Sequence, residues 1–191
     1  MSAIVFSQES KTRYLKDLSF EEIDERLCDK INSFEKAESL IVINQLLQSD
    51  FTADQHNILK VYKLQALVDS ELYDEALLLT EELLQPVSID PQLEVKVLLE
   101  RSLLYETLEE MTESKKDLNR IERLFDEKEL VKNELYGKYL YRLSSWFRVN
   151  DRRSESIEWA QKAIKFGLEN GFNQIAAIKR SLGLWQEKKM I

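Results

Sequence analysis

The chain has 191 residues, 43% of them hydrophobic, and 35 acidic side chains outnumber 27 basic ones, for a net charge of −8. This hydrophobic share excludes a disordered chain, and four glycines and two prolines supply too few tight turns for a β-sandwich or barrel. One Cys and one His exclude an intramolecular disulfide, a thiolate metal cage and a paired-His zinc site. We therefore expect a protein that is not an enzyme and has no cofactor.

The predicted elements are all helices, and the first four lie between residues 19 and 86. Ser19 and Glu22 form a capping box at the start of a helix that reaches about residue 31, and a second helix follows over residues 34–48. Thr52 and Gln55 form another capping box, which starts a third helix. A fourth helix covers residues 72–84, just before Pro86. The sequence thus predicts helix pairs over about 19–49 and 52–86, after a lead-in segment of residues 1–18.

The second half continues the same rhythm. Asp90 followed by Pro91 is a strong start signal for a fifth helix. Further helices are predicted over residues 112–125, 128–147 and 154–168, and Gly171 ends the last of them. These form pairs over about 90–126 and 128–169, and a terminal helix is expected over 173–188. Residues 19–191 are therefore predicted to be a single all-α repeat domain.

A small side chain recurs early in the second helix of each pair. Its positions are Ala37, Ala76, Ser114 and Ser156, which are 39, 38 and 42 residues apart. Four residues later come Ile41, Thr80, Leu118 and Ala160, and seven residues later Asn44, Leu83, Ile121 and Ala163. A small residue allows two helices to cross closely, and the later positions are expected to meet the neighbouring pair.

Several segments resemble tetratricopeptide repeats. The most similar one comprises Leu143-Ser144, Phe147, Asp151 and residues 156–164, while residues 73–76 and 181–184 match shorter parts of the motif. The similarity extends over about residues 20–188, although the family's interval of 34 is shorter than the intervals here. It implies a right-handed α–α superhelix of about four pairs with a C-terminal capping helix.

The resemblance also implies a binding site on the concave face, which the first helix of each pair lines. Transferring the register gives the candidate peptide-binding residues Lys96, Lys138, Tyr141, Ser145, Arg148 and Arg180. Leu99 and Leu103 share that face, and Tyr62 or Val61, with Asp69, are candidates in the pair 52–86. The basic groups in this set suit an acidic peptide or a terminal carboxylate, which Arg can bind through paired hydrogen bonds. Ordinary exposed helix charges would give the same pattern.

The residues that most often carry chemistry are sparse. Cys28 is expected to be a buried core thiol and His56 an exposed side chain. Four acidic residues lie close together in sequence: Glu106, Glu109, Glu110 and Glu113. They lack the glycine-containing Asp-rich loop of calcium sites, so a solvated helix end is expected there.

Three functions are consistent with the sequence. The first is a non-enzymatic protein–protein interaction scaffold, in which charge reversal at Lys138, Arg148 and Arg180 should weaken partner binding. The second is a sensory or regulatory segment of a bacterial transcription regulator or kinase. The third is a self-associating protein, which would pair through its terminal helix or through opposite charges, because residues 1–129 carry −14 and residues 130–191 carry +6.

The remaining expectations concern location and other partners. A polyanion would be repelled by the acidic part of the chain, so nucleic acid is disfavoured. The sequence shows neither a leader with a basic start and an apolar core nor an apolar run of about 18 residues. We therefore expect a cytoplasmic protein without a membrane partner.

Overall fold

The computed structural model describes residues 19–30, 36–85 and 89–171. The lead-in segment 1–18, the terminal helix 173–188, Pro86, Arg180 and the motif at 181–184 lie outside the described residues. The side chains of Cys28 and Ala37 also lie outside what the structure describes.

The described part of the chain consists of helices joined by turns and contains no strand, which confirms the all-α prediction. The eight helices are α1 (Phe20–Lys30), α2 (Lys36–Leu46), α3 (Ala53–Asp69), α4 (Tyr73–Leu84), α5 (Pro91–Thr107), α6 (Met111–Glu127), α7 (Glu134–Val149) and α8 (Arg153–Asn170). None of the helices within these described ranges is long and apolar enough to cross a membrane.

The predicted helix starts at Ser19, Thr52 and Asp90 are confirmed. The Ser19 backbone N–H donates to Glu22 at 2.9 Å, and the Thr52 backbone N–H donates to Gln55 at the same distance. The Asp90 carboxylate accepts from the backbone N–H of Leu93 at 2.9 Å. The start of α7 differs from its prediction: the helix begins at Glu134 rather than near residue 128, because Asn133 caps it by accepting from the Leu135 N–H at 3.0 Å.

The chain divides into two compact units, residues 1–85 and 86–191. In the first unit α3 packs against both α2 and α4. A buried cluster joins α1, α2 and α3 through Ile23, Leu27, Val42, Ile43, Leu46, Leu59 and Ala66. The Tyr62 hydroxyl adds a polar link, because it donates to the Asp24 carboxylate at 2.8 Å.

In the second unit α5 packs against α6 and α7, α6 also packs against α7, and α7 packs against α8. Apolar residues from all four helices are buried, among them Val95, Leu104, Leu118, Ile121, Leu143 and Ala160. The unit is thus formed by two helical hairpins, α5–α6 and α7–α8, in contact through α7.

Three hairpins close with the same turn. At α3–α4, α5–α6 and α7–α8 an acidic residue adopts a left-handed conformation: Glu71 (φ 61°), Glu109 (φ 62°) and Asp151 (φ 57°). The next backbone N–H donates five residues back, from Leu72 to Leu67 at 3.0 Å, from Glu110 to Tyr105 at 2.8 Å and from Arg152 to Phe147 at 2.9 Å. This is the hydrogen bond of a Schellman motif. The turns therefore repeat at the same 38- and 42-residue intervals as the small residues that follow them.

The small-residue prediction is confirmed in the last three pairs. Ala76, Ser114 and Ser156 are buried, and so are the residues four and seven positions later. The prediction is wrong in the first pair, where Ile41 and Asn44 are exposed. The buried side of α2 instead carries Ser39, Ile43 and Leu46, which have the same spacing. The register of this pair is therefore shifted by two residues, and Ser39 is its small residue.

Candidate binding surface on α5 and α7

The predicted peptide-binding residues of α7 follow one side of the helix. Lys138, Tyr141, Ser145 and Arg148 are spaced by three, four and three residues, which keeps them on one face. Lys138 and Arg148 are exposed, Tyr141 is half-buried and Ser145 is buried. The structure brings only part of this set into mutual contact, since the Arg148 guanidinium donates to the Ser145 hydroxyl at 3.2 Å.

The other predicted residues are more separate. The Lys138 ammonium lies 3.2 Å from the Glu134 carboxylate one turn earlier, in an exposed ion pair of the kind that contributes little stability. Lys96 is half-buried near the start of α5, and Arg180 lies outside the described residues.

Glu106 on α5 belongs to this surface and is absent from the predicted set. Lys96, Leu99, Leu103 and Glu106 repeat the spacing of the four α7 residues, so Glu106 occupies the position on α5 that Arg148 occupies on α7. The repeated spacing is the feature of the sequence that could have identified Glu106 as part of this surface. The side chain is half-buried, and its carboxylate accepts from the Ser114 hydroxyl at 3.4 Å.

The electrostatics of Glu106 connect it to α7. Burial raises the pKa of its carboxyl above the usual range, while Arg142, Ser114, Arg148 and Ser145 oppose that increase. We call Glu106, Arg142, Ser145 and Arg148 the Glu106 cluster. It contains two guanidinium groups and one carboxylate, and the Nε of Arg142 is buried without a hydrogen-bond partner among the described residues. The cluster therefore has one positive charge in excess and an unused donor.

The acidic series that includes Glu106 does not form a single site. Glu109 lies in the α5–α6 turn, and the Glu113 carboxylate pairs with Lys116 at 2.6 Å. Within the described ranges no group of three or more His, Cys, Asp or Glu side chains could hold a metal ion.

His56 differs from its prediction, because it is half-buried rather than exposed. Its Nδ1 lies 3.1 Å from the carbonyl oxygen of Thr52, and its Nε2 lies 3.2 Å from that of Leu47. The ring thus joins the start of α3 to the end of α2, which is a structural arrangement.

The two described tryptophans help to hold α6, α7 and α8 together. Trp146 is buried, and its indole N–H donates to the Met111 carbonyl at 3.1 Å. Trp159 is half-buried and stacks on Phe147, with ring centroids 6.4 Å apart and an interplanar angle of 8°.

Comparison with known proteins identifies no relative: no family model, curated protein or solved structure matches the chain. The tetratricopeptide-like assignment therefore stays a prediction, supported by the residues quoted above and by the repeated turns.

Proposed function

We propose that the protein is a non-enzymatic interaction module that binds a peptide or helix of a partner protein on the side of α5 and α7 that bears the Glu106 cluster. In this proposal the helix pairs form a right-handed tetratricopeptide-like solenoid, and this side is its concave face. Support for the repeat comes from the three matching turns and the buried small residues. Repeat proteins of this kind typically bind partners on their concave faces.

The observation that carries the proposal is the pairing of equivalent positions on two contacting helices. The same three-four-three spacing on α5 and α7 ends at Glu106 and at Arg148. Apart from the buried Leu99 and Ser145 these positions are at least partly exposed, so both helices offer polar and apolar side chains to an extended peptide.

The charge of the Glu106 cluster indicates the chemistry of the partner. Arg148 is exposed, and its hydrogen bond to Ser145 uses only one of five guanidinium donors. With one positive charge in excess, the cluster favours a peptide that offers a carboxylate, either from an acidic side chain or from its C-terminus. Glu106 would compete with that carboxylate for the two arginines.

The test is a screen of synthetic peptides with free C-terminal carboxylates or acidic side chains against the purified chain, followed by fluorescence anisotropy. For a bound peptide, Arg148→Gln should weaken affinity about tenfold, whereas Arg123→Gln on the exposed side of α6 should leave it unchanged. Glu106→Gln should strengthen binding, because it removes the internal competitor. Circular dichroism at 222 nm checks that each variant remains helical.

Two results would contradict the proposal. One is a screen in which no peptide binds at concentrations up to the millimolar range. The other is equal binding by the Arg148 and Arg123 variants, which would place the peptide elsewhere on the chain.

A further inference from the structure

A second concave site lies within the second unit, between the start of α6 and the end of α7. It has a volume of about 390 Å³ and is lined by Met111, Thr112, Lys115, Lys116, Asn119, Trp146 and Asn150. We call it the Lys115 pocket. Its α7 residue Trp146 points to a different side of the helix from Arg148 of the Glu106 cluster, because the two are two residues apart and each residue turns a helix by about 100°.

The wall of the pocket is rich in hydrogen-bond donors. Two lysines, two asparagines and a threonine contribute to it, and none of the seven lining residues is acidic. Lys116 is already engaged, since its ammonium lies 2.6 Å from the Glu113 carboxylate. Lys115 is therefore the group left to attract an anion into this pocket.

Lys115 is a half-buried cation with aromatic neighbours. Its Nζ lies 5.2 Å from the ring centroid of Trp146 and 5.6 Å from that of Phe147. Within the described ranges no carboxylate lies within 4 Å of it. Burial lowers the pKa of this ammonium, Glu122 opposes the decrease and Arg152 adds to it. A bound anion would supply a counter-charge in direct contact with the ammonium, which the described residues provide only at longer range through Glu122.

The apolar part of the pocket is held in place by backbone contacts. The Trp146 indole N–H is bonded to the Met111 carbonyl at 3.1 Å, and the Asn150 side-chain amide donates to the Trp146 carbonyl at 2.8 Å. Trp146 and Met111 consequently offer a fixed wall beside the ammonium. Such a wall suits the apolar part of a ligand.

We propose that the Lys115 pocket binds a carboxylate attached to an apolar or aromatic group. The Lys115 ammonium pairs with the carboxylate, and Trp146 and Met111 contact the apolar part. A monoanion fits better than a phosphate, because Lys116 already pairs with Glu113 and, among the described residues, Lys115 is the one lysine of the pocket without a carboxylate in contact. The ligand is either a small organic acid or the C-terminal residue of a peptide, which present the same two groups.

The experiment is a titration of the full ¹⁵N-labelled chain at pH 7, followed by ¹H–¹⁵N NMR. The probes are 3-phenylpropionate, its neutral analogue 3-phenylpropionamide, and a pair of short peptides that end in phenylalanine as the free acid or as the amide. The indole signal of Trp146 is assigned with Trp146→Phe. We expect the two acids to shift the signals of Thr112, Lys115, Asn119 and the Trp146 indole, and the neutral analogues to bind at least about tenfold more weakly.

Two variants with the same change in charge locate the site. Lys115→Met retains the aliphatic stem and should weaken binding of the acids about tenfold. Lys165→Met removes a charge from the exposed side of α8, outside the pocket, and should leave binding unchanged. Binding of 3-phenylpropionate but not of the peptide acid would support a small-molecule ligand, and binding of both would support a peptide terminus as well.

Three results would overturn the proposal. The first is that neither of the two acids shifts the signals of the pocket residues at 10 mM. The others are equal binding of acids and neutral analogues to the unmodified protein, and equal binding by the two lysine variants. The first two need no variant, so they are independent of any effect of substitution on folding. Failure of the peptide screen at the Glu106 cluster leaves this result unaffected, because Arg148 is not part of the pocket.

Discussion

Ser144 on α7 and Ser156 on α8 each donate a side-chain hydroxyl to the other's backbone carbonyl, and both distances are 2.9 Å. This reciprocal bonding requires the two helices to approach closely, and both side chains are buried. The equivalent residues of the α5–α6 hairpin are Ser102 and Ser114, which are also buried. Small side chains on both helices thus set the helix spacing in each hairpin of the second unit.

A larger side chain at position 156 should therefore lower the free energy of unfolding by more than removal of the Ser156 hydroxyl does. We expect Ser156→Ala to lower the free energy of unfolding by about 1 kcal/mol, for one lost hydrogen bond. Ser156→Leu should lower it by about 2 kcal/mol or more, because the extra carbons would force α7 and α8 apart. Urea unfolding monitored by circular dichroism measures both, with Ser154→Leu on the exposed side of α8 as the control. Equal losses from the two leucine variants would show that close helix approach is unimportant here.

The second prediction concerns the ion pair between Arg101 and Asp117, which joins α5 to α6. The guanidinium donates to both carboxylate oxygens, at 2.9 and 2.7 Å, and only 6% of the Asp117 side chain is exposed. Asp117→Ala should lower the free energy of unfolding by about 3 kcal/mol, because it removes the buried carboxylate to which a largely buried guanidinium donates twice. Replacing both residues by Leu should restore most of that loss.

The control for this pair is the exposed ion pair Lys162–Glu158, at 2.7 Å. Glu158→Ala should change the free energy of unfolding by less than about 0.5 kcal/mol. Urea unfolding of the unmodified protein, Asp117→Ala, the double Leu variant and Glu158→Ala measures these differences. If the double Leu variant were as unstable as Asp117→Ala, the loss would come from packing at this position and not from an unpaired charge.

The helix starts and the repeat could be predicted because they depend on local signals. Capping at Ser19, Thr52 and Asp90 involves residues three positions apart, and Gly171 ends α8 with φ 73° as its position predicts. The predicted start of α7 lies too early because residues 128–132 mix charged and apolar side chains in a way that is equally compatible with a helix.

The polar interior was harder to predict, because it depends on contacts between helices. Asp117 occupies the position three residues after Ser114, where the equivalent residues on α2 and α4 are Val42 and Leu79. A carboxylate on that apolar stripe was a signal for a buried partner, but the sequence does not identify Arg101, 16 residues away on the preceding helix. The same holds for Glu106, whose charged neighbours Arg142 and Arg148 come from α7.

The corrected register of α2 gives the third prediction. Ile43 is completely buried, whereas Ile41, two residues earlier, is 40% exposed. Ile43→Ala should lower the free energy of unfolding by about 3 kcal/mol, because it leaves a cavity in the core of the first unit. Ile41→Ala is the matched control and should cost less than about 1 kcal/mol. If Ile41→Ala lowered the free energy of unfolding by more than Ile43→Ala, the register predicted from the sequence, in which Ala37 is the small residue, would be correct.

The last prediction follows from the raised pKa of Glu106. A carboxyl whose pKa is higher in the folded chain than its ordinary value of 4.5 stabilises the fold fully below pH 4.5, and this contribution is lost as the pH rises through the folded pKa. Above the folded pKa the half-buried carboxylate is charged, and the cost of its burial is then present. Glu106→Gln should therefore be more stable than the unmodified protein at pH 7, by up to about 1 kcal/mol, and this advantage should shrink as the pH falls toward 4.5.

Urea unfolding of both proteins between pH 4.5 and 7 measures this difference directly, since the other carboxyl groups are common to both. Glu169→Gln, on the exposed last turn of α8, corrects for the loss of one negative charge from the chain. If the stability advantage of Glu106→Gln grew as the pH fell, folding would lower the pKa of Glu106 rather than raise it. This result would mean that the arginines of the Glu106 cluster stabilise the carboxylate by more than its burial costs, and the cluster would then be closed to a partner's carboxylate.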